Sequence, residues 1–541
     1  MYRKLDRNFS WNWQHVLDYK TTLFDKHNID LMAGLEANEY LGKTLSGNAD
    51  SLLKNGATPE YQYIDATLRQ TGSTYYYAKG GYSHQTGYAY FGRLNYEFNN
   101  LFLAQFTYRY DGSTKFGPGH RFGSFPAFST GFKFSELDFV KNSLPLLSFG
   151  KIRFGWGKTG NDGIPSNKFY SLVGASAENG YPLGGTGTPG GIALAPGNSQ
   201  LHWESITTYN YGLDLNFFDN KLSVTTDYFE KYTTGMLQSL SLPLVTGRYG
   251  FDGSDGKYTD HIGSLSNKGI ELALGYKDNV GDLKYTVDFN ITKIVSKVYD
   301  LTDTITLPDW ESNPKAILRN GDAPGAFWGY KTDGLFRPSD VDTIIENGKK
   351  RQVWKAGLPY KIDAQGRRVY AQNTAKPGDL RFVDTNGDTV LNDKDKVVIG
   401  NPNPDFTFGF TINLEYKGFD FNCFFQGSYG NDIFNTSKAS WYNPNGLNNW
   451  VKDALNAYRD PVYDKNGVMI DPGNTTSNQF KLKGSTSDNY RMSDWYVEDG
   501  SYIRLKSIQI GYTLPENFTK KYGIERLRVY VGGRNLITWT N

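Results

Sequence analysis

The chain has 541 residues, enough for three or four ordinary soluble domains or for one large repetitive sheet. Its 58 Lys+Arg stand against 56 Asp+Glu, a formal net charge of +2, so it lacks the basic excess that attracts phosphate backbones, and nucleic acid is excluded as an expected partner. No stretch approaches the roughly 18 uninterrupted apolar residues of a spanning helix, which excludes a helical membrane protein.

Aromatics make up 16% of the residues, with 39 Tyr and 34 Phe beside 60 Gly, while only 38% of residues are apolar. That mixture favours strands and turns over helices. The single cysteine, Cys423, leaves no internal disulfide and no thiolate metal cluster. The opening residues Met1 to Asp6 lack the apolar core and small-residue cleavage site of a secretory signal. The expectation is either a chain that is not exported or one whose beginning lies upstream.

Period-two alternation marks the strands in chain order. The first runs fall near 9–22, 28–39, 87–98 and 101–111, the last with Phe102, Ala104, Phe106, Tyr108 and Tyr110 against Gln105, Thr107, Arg109 and Asp111. Runs near 124–134 and 148–157 follow. The second leads into Gly155-Trp156-Gly157-Lys158-Thr159-Gly160, a G-x-G-x-x-G string that no helix follows, so it reads as a glycine-rich strand end and not a phosphate loop. Next come 207–217, 221–231, 268–277 and 283–293, where Leu283, Tyr285, Val287, Phe289 and Ile291 alternate with polar residues. The series closes with 405–416, 419–427, 503–513 and 526–533.

These are about fourteen strands, mostly of the roughly ten residues that cross a bilayer when tilted. Their connections alternate in length. Short links at Asn99-Asn100, Phe218 to Asn220, Asp278 to Asp282 and Lys417-Gly418, with intermediate ones at 23–27, 135–147 and 514–525, interleave with long links at 40–86, 112–123, 158–206, 232–267, 294–404 and 428–502. Short turns at one end and long loops at the other describe an all-β, up-and-down antiparallel transmembrane β-barrel with long extracellular loops. Cys423 shares parity with Phe419, Phe421 and Phe425 and reads as a small apolar contact on the lipid face. A large soluble β-protein with one buried face is the alternative that alternation alone leaves open.

Specific motifs then carry a resemblance. Arg109-Tyr110-Asp111-Gly112-Ser113-Thr114-Lys115-Phe116-Gly117 with Arg121-Phe122-Gly123-Ser124-Phe125-Pro126 resembles a segment of the SusC/RagA family of TonB-dependent outer-membrane transporters. Further similar segments are Gly150 to Arg153, Thr159-Gly160-Asn161, Leu201-His202-Trp203-Glu204, Tyr228 to Thr234, Asn267 to Leu272, Gly329 to Phe336, and Ser501 to Lys506 with Gly511 to Pro515. The resemblance implies import of oligosaccharides or peptides, a SusD-like surface lipoprotein as partner, TonB coupling through a plug domain, and contact with outer-membrane lipid. Large plugged barrels have about 22 strands, so residues 1–541 are expected to be a partial barrel lacking the N-terminal plug and the final C-terminal strand or strands. A passive porin-like channel and a soluble glycan-binding β-protein stand as alternatives.

One local motif calls for a metal. Asp384-Thr385-Asn386-Gly387-Asp388-Thr389-Val390-Leu391-Asn392-Asp393-Lys394-Asp395, inside the segment 379–400 of a long loop, places oxygen ligands at the spacing of a calcium loop. The ligands would be Asp384, Asn386, Asp388, the Val390 carbonyl, Asn392 and Asp395. A solvated acidic turn is the other reading. Calcium is the one candidate cofactor, and none is required for transport. The six histidines, His15, His27, His84, His120, His202 and His261, are far apart in sequence and complete no zinc spacing. No catalytic motif is found, so no enzyme is expected. The loop aromatics Trp310, Trp328, Trp354, Trp441, Tyr442, Trp450, Trp495 and Tyr496 suit either stacking on sugars and peptides or packing of loop against loop.

Overall fold

The computed structural model describes residues 2–48, 77–166, 168–183, 186–241, 257–302, 304–306, 316–346, 348–355, 360–362, 368–370, 372, 375–388, 390–442, 449–482 and 488–540. It divides into two units, one of residues 1–220 and 224–266 and the other of residues 221–223 and 267–541.

In the first unit eight long strands follow the chain: β1 (Tyr2–Leu23), β2 (His27–Asn48), β3 (Tyr77–Phe98), β4 (Phe102–Ser113), β5 (Phe122–Phe132), β6 (Leu147–Asn161), β7 (Glu204–Phe217) and β8 (Leu222–Thr234). The second carries six: β9 (Ser264–Val280), β10 (Leu283–Tyr299), β11 (Phe406–Tyr416), β12 (Phe419–Tyr429), β13 (Tyr502–Thr513) and β14 (Arg528–Thr540). Consecutive strands such as β1–β2, β2–β3, β3–β4 and β11–β12 pair antiparallel. The fold is an all-β antiparallel meander, and the fourteen strands fall where alternation placed them.

The short links close because their residues accept left-handed backbone. Asn99 and Asn100 sit at φ 48 and 56, and Lys417 and Gly418 at φ 45 and 89, the mirror-image turn whose twist matches two right-twisted strands. Asn tolerates this region through its short polar side chain, and Gly418 has no Cβ to clash.

Side chains sort by parity as expected. On β4 the exposed Phe102, Phe106, Tyr108 and Tyr110 share one face, while Thr107, Arg109 and Asp111 lie on the other. Aromatics concentrate at both ends of the outward face. In the first unit Phe102 and Phe132 mark the turn end, and Trp13, Tyr88, Tyr90, Tyr108 and Tyr110 the loop end. From Phe102 to the level of Tyr88, opposite Gly112, the tilted strand rises about 25 Å, the height of a lipid-facing band. Cys423 is buried on the outward face of β12, opposite Ile412 and Ile508, in agreement with its parity.

The first three strands depart from the sequence reading, since each runs 22 residues where the alternating pattern spans about twelve to fourteen. The ladder continues beyond the girdle, where the outward face mixes Arg7, Glu39 and Lys43 with Leu5, Phe9, Leu41 and Leu45, and period-two hydrophobicity no longer reports it cleanly.

Candidate functional site

The inward face is polar and charge-paired. In the first unit Arg109 donates from Nη2 to Glu36 Oε2 at 2.9 Å and from Nε to Asp111 Oδ1 at 2.7 Å. Arg153 reaches both Asp214 and Asp227. In the second unit Arg528 Nε donates to Asp420 Oδ1 at 2.8 Å. A hollow of about 870 Å³ opens on the turn-end half of this face in the first unit, among Lys20, Asp30, Glu97, Gln105, Lys151 and Arg153. Such a wall holds water and polar solutes, because each charge has a partner or solvent beside it.

At the loop end of the first unit, three segments singled out in the sequence form one knot. Ser113 Oγ donates to Asp162 Oδ2 at 2.8 Å, and Lys115 Nζ to the Asp162 carbonyl at 3.0 Å. Phe116 and Leu201 are fully buried with Ile164, and Trp203 closes the cluster while its Nε1 donates to the Arg121 carbonyl at 2.9 Å. The motif residues are therefore structural: they bind the β4–β5, β6–β7 and β8–β9 connections to each other.

Three histidines scattered in sequence meet in this knot. The His202 and His261 rings stack at 3.9 Å between centroids, and His120 lies 6.2 Å from His202. The His202 backbone N–H donates to His261 Nε2 at 3.0 Å, so the His261 proton sits on Nδ1 and is donated to the Gly235 carbonyl at 2.9 Å. Burial pushes the His261 pKa below its ordinary value, and the neighbouring His202 opposes a second charge. Both nitrogens of His261 are committed, so this is a clasp and not a metal site. Sequence spacing carried no sign of it.

In the second unit, the β10–β11 and β12–β13 connections fold around their own core. Tyr330, Leu335, Leu380, Phe382, Tyr442, Tyr458, Phe480 and Tyr496 are buried, with Trp495 and Tyr490 packed against them. Fully buried Asn489 accepts the Leu380 N–H at 2.8 Å and donates to Asp379 Oδ1 and the Lys481 carbonyl at 3.1 Å each. The Tyr442 hydroxyl, pushed up to about 12 by burial and by the Asp453 carboxylate that accepts from it at 2.7 Å, stays neutral. Tyr442, Trp495 and Tyr496 thus serve loop packing. Trp328 lies under the Arg319 guanidinium at 4.9 Å. Trp441 and Trp450 remain exposed. Trp310 lies outside the described residues, and of Trp354 only the backbone is described.

The 384–395 loop is wound by its own oxygens. Asp384 Oδ1 accepts from Gly387 N, Asn386 Oδ1 from Asp388 N and Asp388 Oδ1 from Val390 N, each at 2.8 Å, a chain of Asx turns. Asn392 Nδ2 donates to the Val390 carbonyl. Buried Asp395 closes the loop, accepting the Thr385 and Asn392 amides on its two oxygens at 3.1 and 2.7 Å. Thr389 lies outside the described residues. Among the described residues no three His, Cys, Asp or Glu side chains converge to hold a metal. The donor set of this loop, carboxylates, amides and one carbonyl, is that of a hard cation and not of zinc. Gly155 to Gly160 lies within strand β6, as the absence of a following helix implied.

Comparison with known proteins agrees with this architecture. Residues 2–536 match the model of the family described as TonB dependent receptor-like, beta-barrel. The chain is 28% identical over 549 residues to TonB-dependent receptor P3 of Formosa agariphila, covering all of this chain and 48% of that protein. It is also 28% identical over 539 residues to TonB-dependent receptor SusC of Bacteroides thetaiotaomicron, covering 98% of this chain and 48% of that one. Among solved structures, the RagAB peptide importer in its closed-closed state superposes with a TM-score of 0.74 at 23% identity, over 100% of this chain and 53% of that one, a likeness of fold. The chain spans about half the length of the curated relatives it matches.

Proposed function

The chain belongs to the TonB dependent receptor-like β-barrel family of the outer membrane, and from that premise we propose that it forms the barrel wall of a SusC-like importer of oligosaccharides or peptides. Transport, not catalysis, is its task. One observation supports the reading above the others: strands with an apolar outward face and a charge-paired inward face, joined by turns at one end and long loops at the other. A wet, fixed-charge lumen passes polar oligomers, and a folded loop platform offers a docking ground for a SusD-like lipoprotein that delivers them. TonB would supply the energy through a plug domain. The exposed Trp441 and Trp450 would stack on sugar rings or peptide side chains. The 384–395 loop would take calcium, with Asp384, Asn386, Asp388, Asn392 and Asp395 as side-chain ligands, to stiffen that platform.

The test is uptake in the native host. Deleting the gene should abolish growth on one class of oligomer while growth on its monomers is untouched. An uncoupler that collapses the proton-motive force should stop the same uptake. Unchanged growth on every oligomer overturns the importer, and uptake that persists under the uncoupler points to a passive channel.

A further inference from the structure

The histidines that touch one another are His120, His202 and His261, brought together by three connections between interior strands. His261 is closed to a ligand, since one nitrogen accepts the His202 amide and the other donates to the Gly235 carbonyl. The other two rings are open. His202 is exposed, and its Nδ1 lies 3.0 Å from the Gln200 carbonyl, an acceptor only, so the ring proton sits on Nδ1 and Nε2 keeps its lone pair. That is how a metal-ligating histidine is held, with a carbonyl on the far nitrogen fixing tautomer and ring orientation. Among the described residues no hydrogen bond holds the His120 ring, which leaves both its nitrogens available.

The two ring centres stand 6.2 Å apart at an interplanar angle of 38°. With each nitrogen about 2 Å from a shared ion, the ion lies about 3.2 Å from each ring centre, so the two centres stand about 5.2 Å apart at a tetrahedral angle and about 6.4 Å apart in line. The observed spacing falls between those limits. The backbone on both sides is already fixed: the Arg121 carbonyl, one residue after His120, accepts at 2.9 Å from the indole of Trp203, one residue after His202. Little ordering is left to oppose a ligand. Asp260 and Glu204 lie close enough to act on the charge of His261, so the surroundings favour a cation.

We propose that the His120 ring and His202 Nε2 together bind one divalent transition-metal ion of the copper and zinc class, with water completing its coordination. Imidazole nitrogen selects such ions over calcium and magnesium, which take oxygen. The ion ties the β4–β5 connection to the β6–β7 connection, while His261 stacks behind His202 and holds it in place. The site is independent of the solute carried.

The full chain in detergent micelles, stripped of metal by a chelator and titrated with copper(II), tests it by calorimetry and by electron spin echo spectroscopy, which counts the imidazoles on the ion. One equivalent should bind with two imidazoles, and excess zinc should displace it. His120→Gln or His202→Gln should each weaken binding about tenfold and leave one imidazole. His84→Gln, at a ring held by Glu39, should change nothing. A single imidazole per ion in the wild type, or a His120→Gln variant that binds as the wild type does, overturns the proposal and makes the uptake adventitious binding to lone histidines. A melting measurement guards against misfolding: without metal His120→Gln should melt with the wild type, and copper should raise the wild-type Tm alone. Solute uptake in the host should persist in His120→Gln, so loss of this metal and failure of the importer reading are separable.

Discussion

The Arg153 guanidinium grips the Asp214 carboxylate with two hydrogen bonds, Nε to Oδ2 at 2.7 Å and Nη2 to Oδ1 at 3.0 Å. It does so by crossing over Gly212, its cross-strand partner on β7, where an added Cβ would overlap the guanidinium. The same Nη2 reaches Asp227 Oδ2 at 3.0 Å on β8. One cation thereby ties three strands on the lumen side.

Arg153→Met should therefore leave two carboxylates facing each other and cost about 1–2 kcal/mol, the value of a partly exposed charge network. Gly212→Ala should cost a similar amount by displacing the guanidinium without altering any charge. Denaturant unfolding of the refolded barrel in detergent measures both, and a Gly212→Ala variant as stable as wild type would disprove the crossing.

Asn489→Leu should remove the acceptor for the buried Leu380 N–H and lose about 2–3 kcal/mol from the loop core of the second unit. The strands do not depend on that bond. Limited proteolysis should thus cut the 330–383 and 449–496 loops earlier while the heat-resistant migration of the barrel is kept.

The His261 clasp should weaken as pH falls. Its pKa is lowered by burial, so the folded chain favours the neutral ring, and the unfolded chain binds a proton first as pH drops through 6.5. The stability it contributes is whole above 6.5 and is lost as pH falls from there through the lower folded value. Facing groups are His202, Asp260, Glu204 and the Gly235 carbonyl. Hydrogen exchange at the His202 amide, corrected for intrinsic rate, should show protection falling between pH 7.5 and 5.5. His261→Phe should abolish that dependence.

Asp395→Ala should open the 384–395 loop, because one side chain holds the amides of Thr385 and Asn392. Calorimetry with calcium should give a binding heat for the wild type and none for the variant. No heat for the wild type would leave the loop a self-capped acidic turn.

What the amino-acid sequence determined by itself is the alternation, the loop parity and the turn chemistry. These are local: a strand side chain points to lipid or to lumen according to its own parity, and Asn99, Asn100 and Gly418 choose their backbone region from their own sterics. The fourteen strand positions and Cys423 on the outward face follow from that alone. The calcium-like spacing of 384–395 was equally legible, since every Asx turn in it spans two or three residues. Only the tertiary structure decided the rest. The outer halves of β1 to β3 exist because ladder hydrogen bonds come from other strands, and Arg7 and Lys43 become neighbours only through a register fixed some twenty residues away. His120, His202 and His261 meet, and Tyr442 and Tyr496 are buried while Trp441 and Trp450 are not, because separate long loops pack together. Such contacts are set by closing loops between distant strands, and local sequence carries no record of which residues those closures will bring face to face.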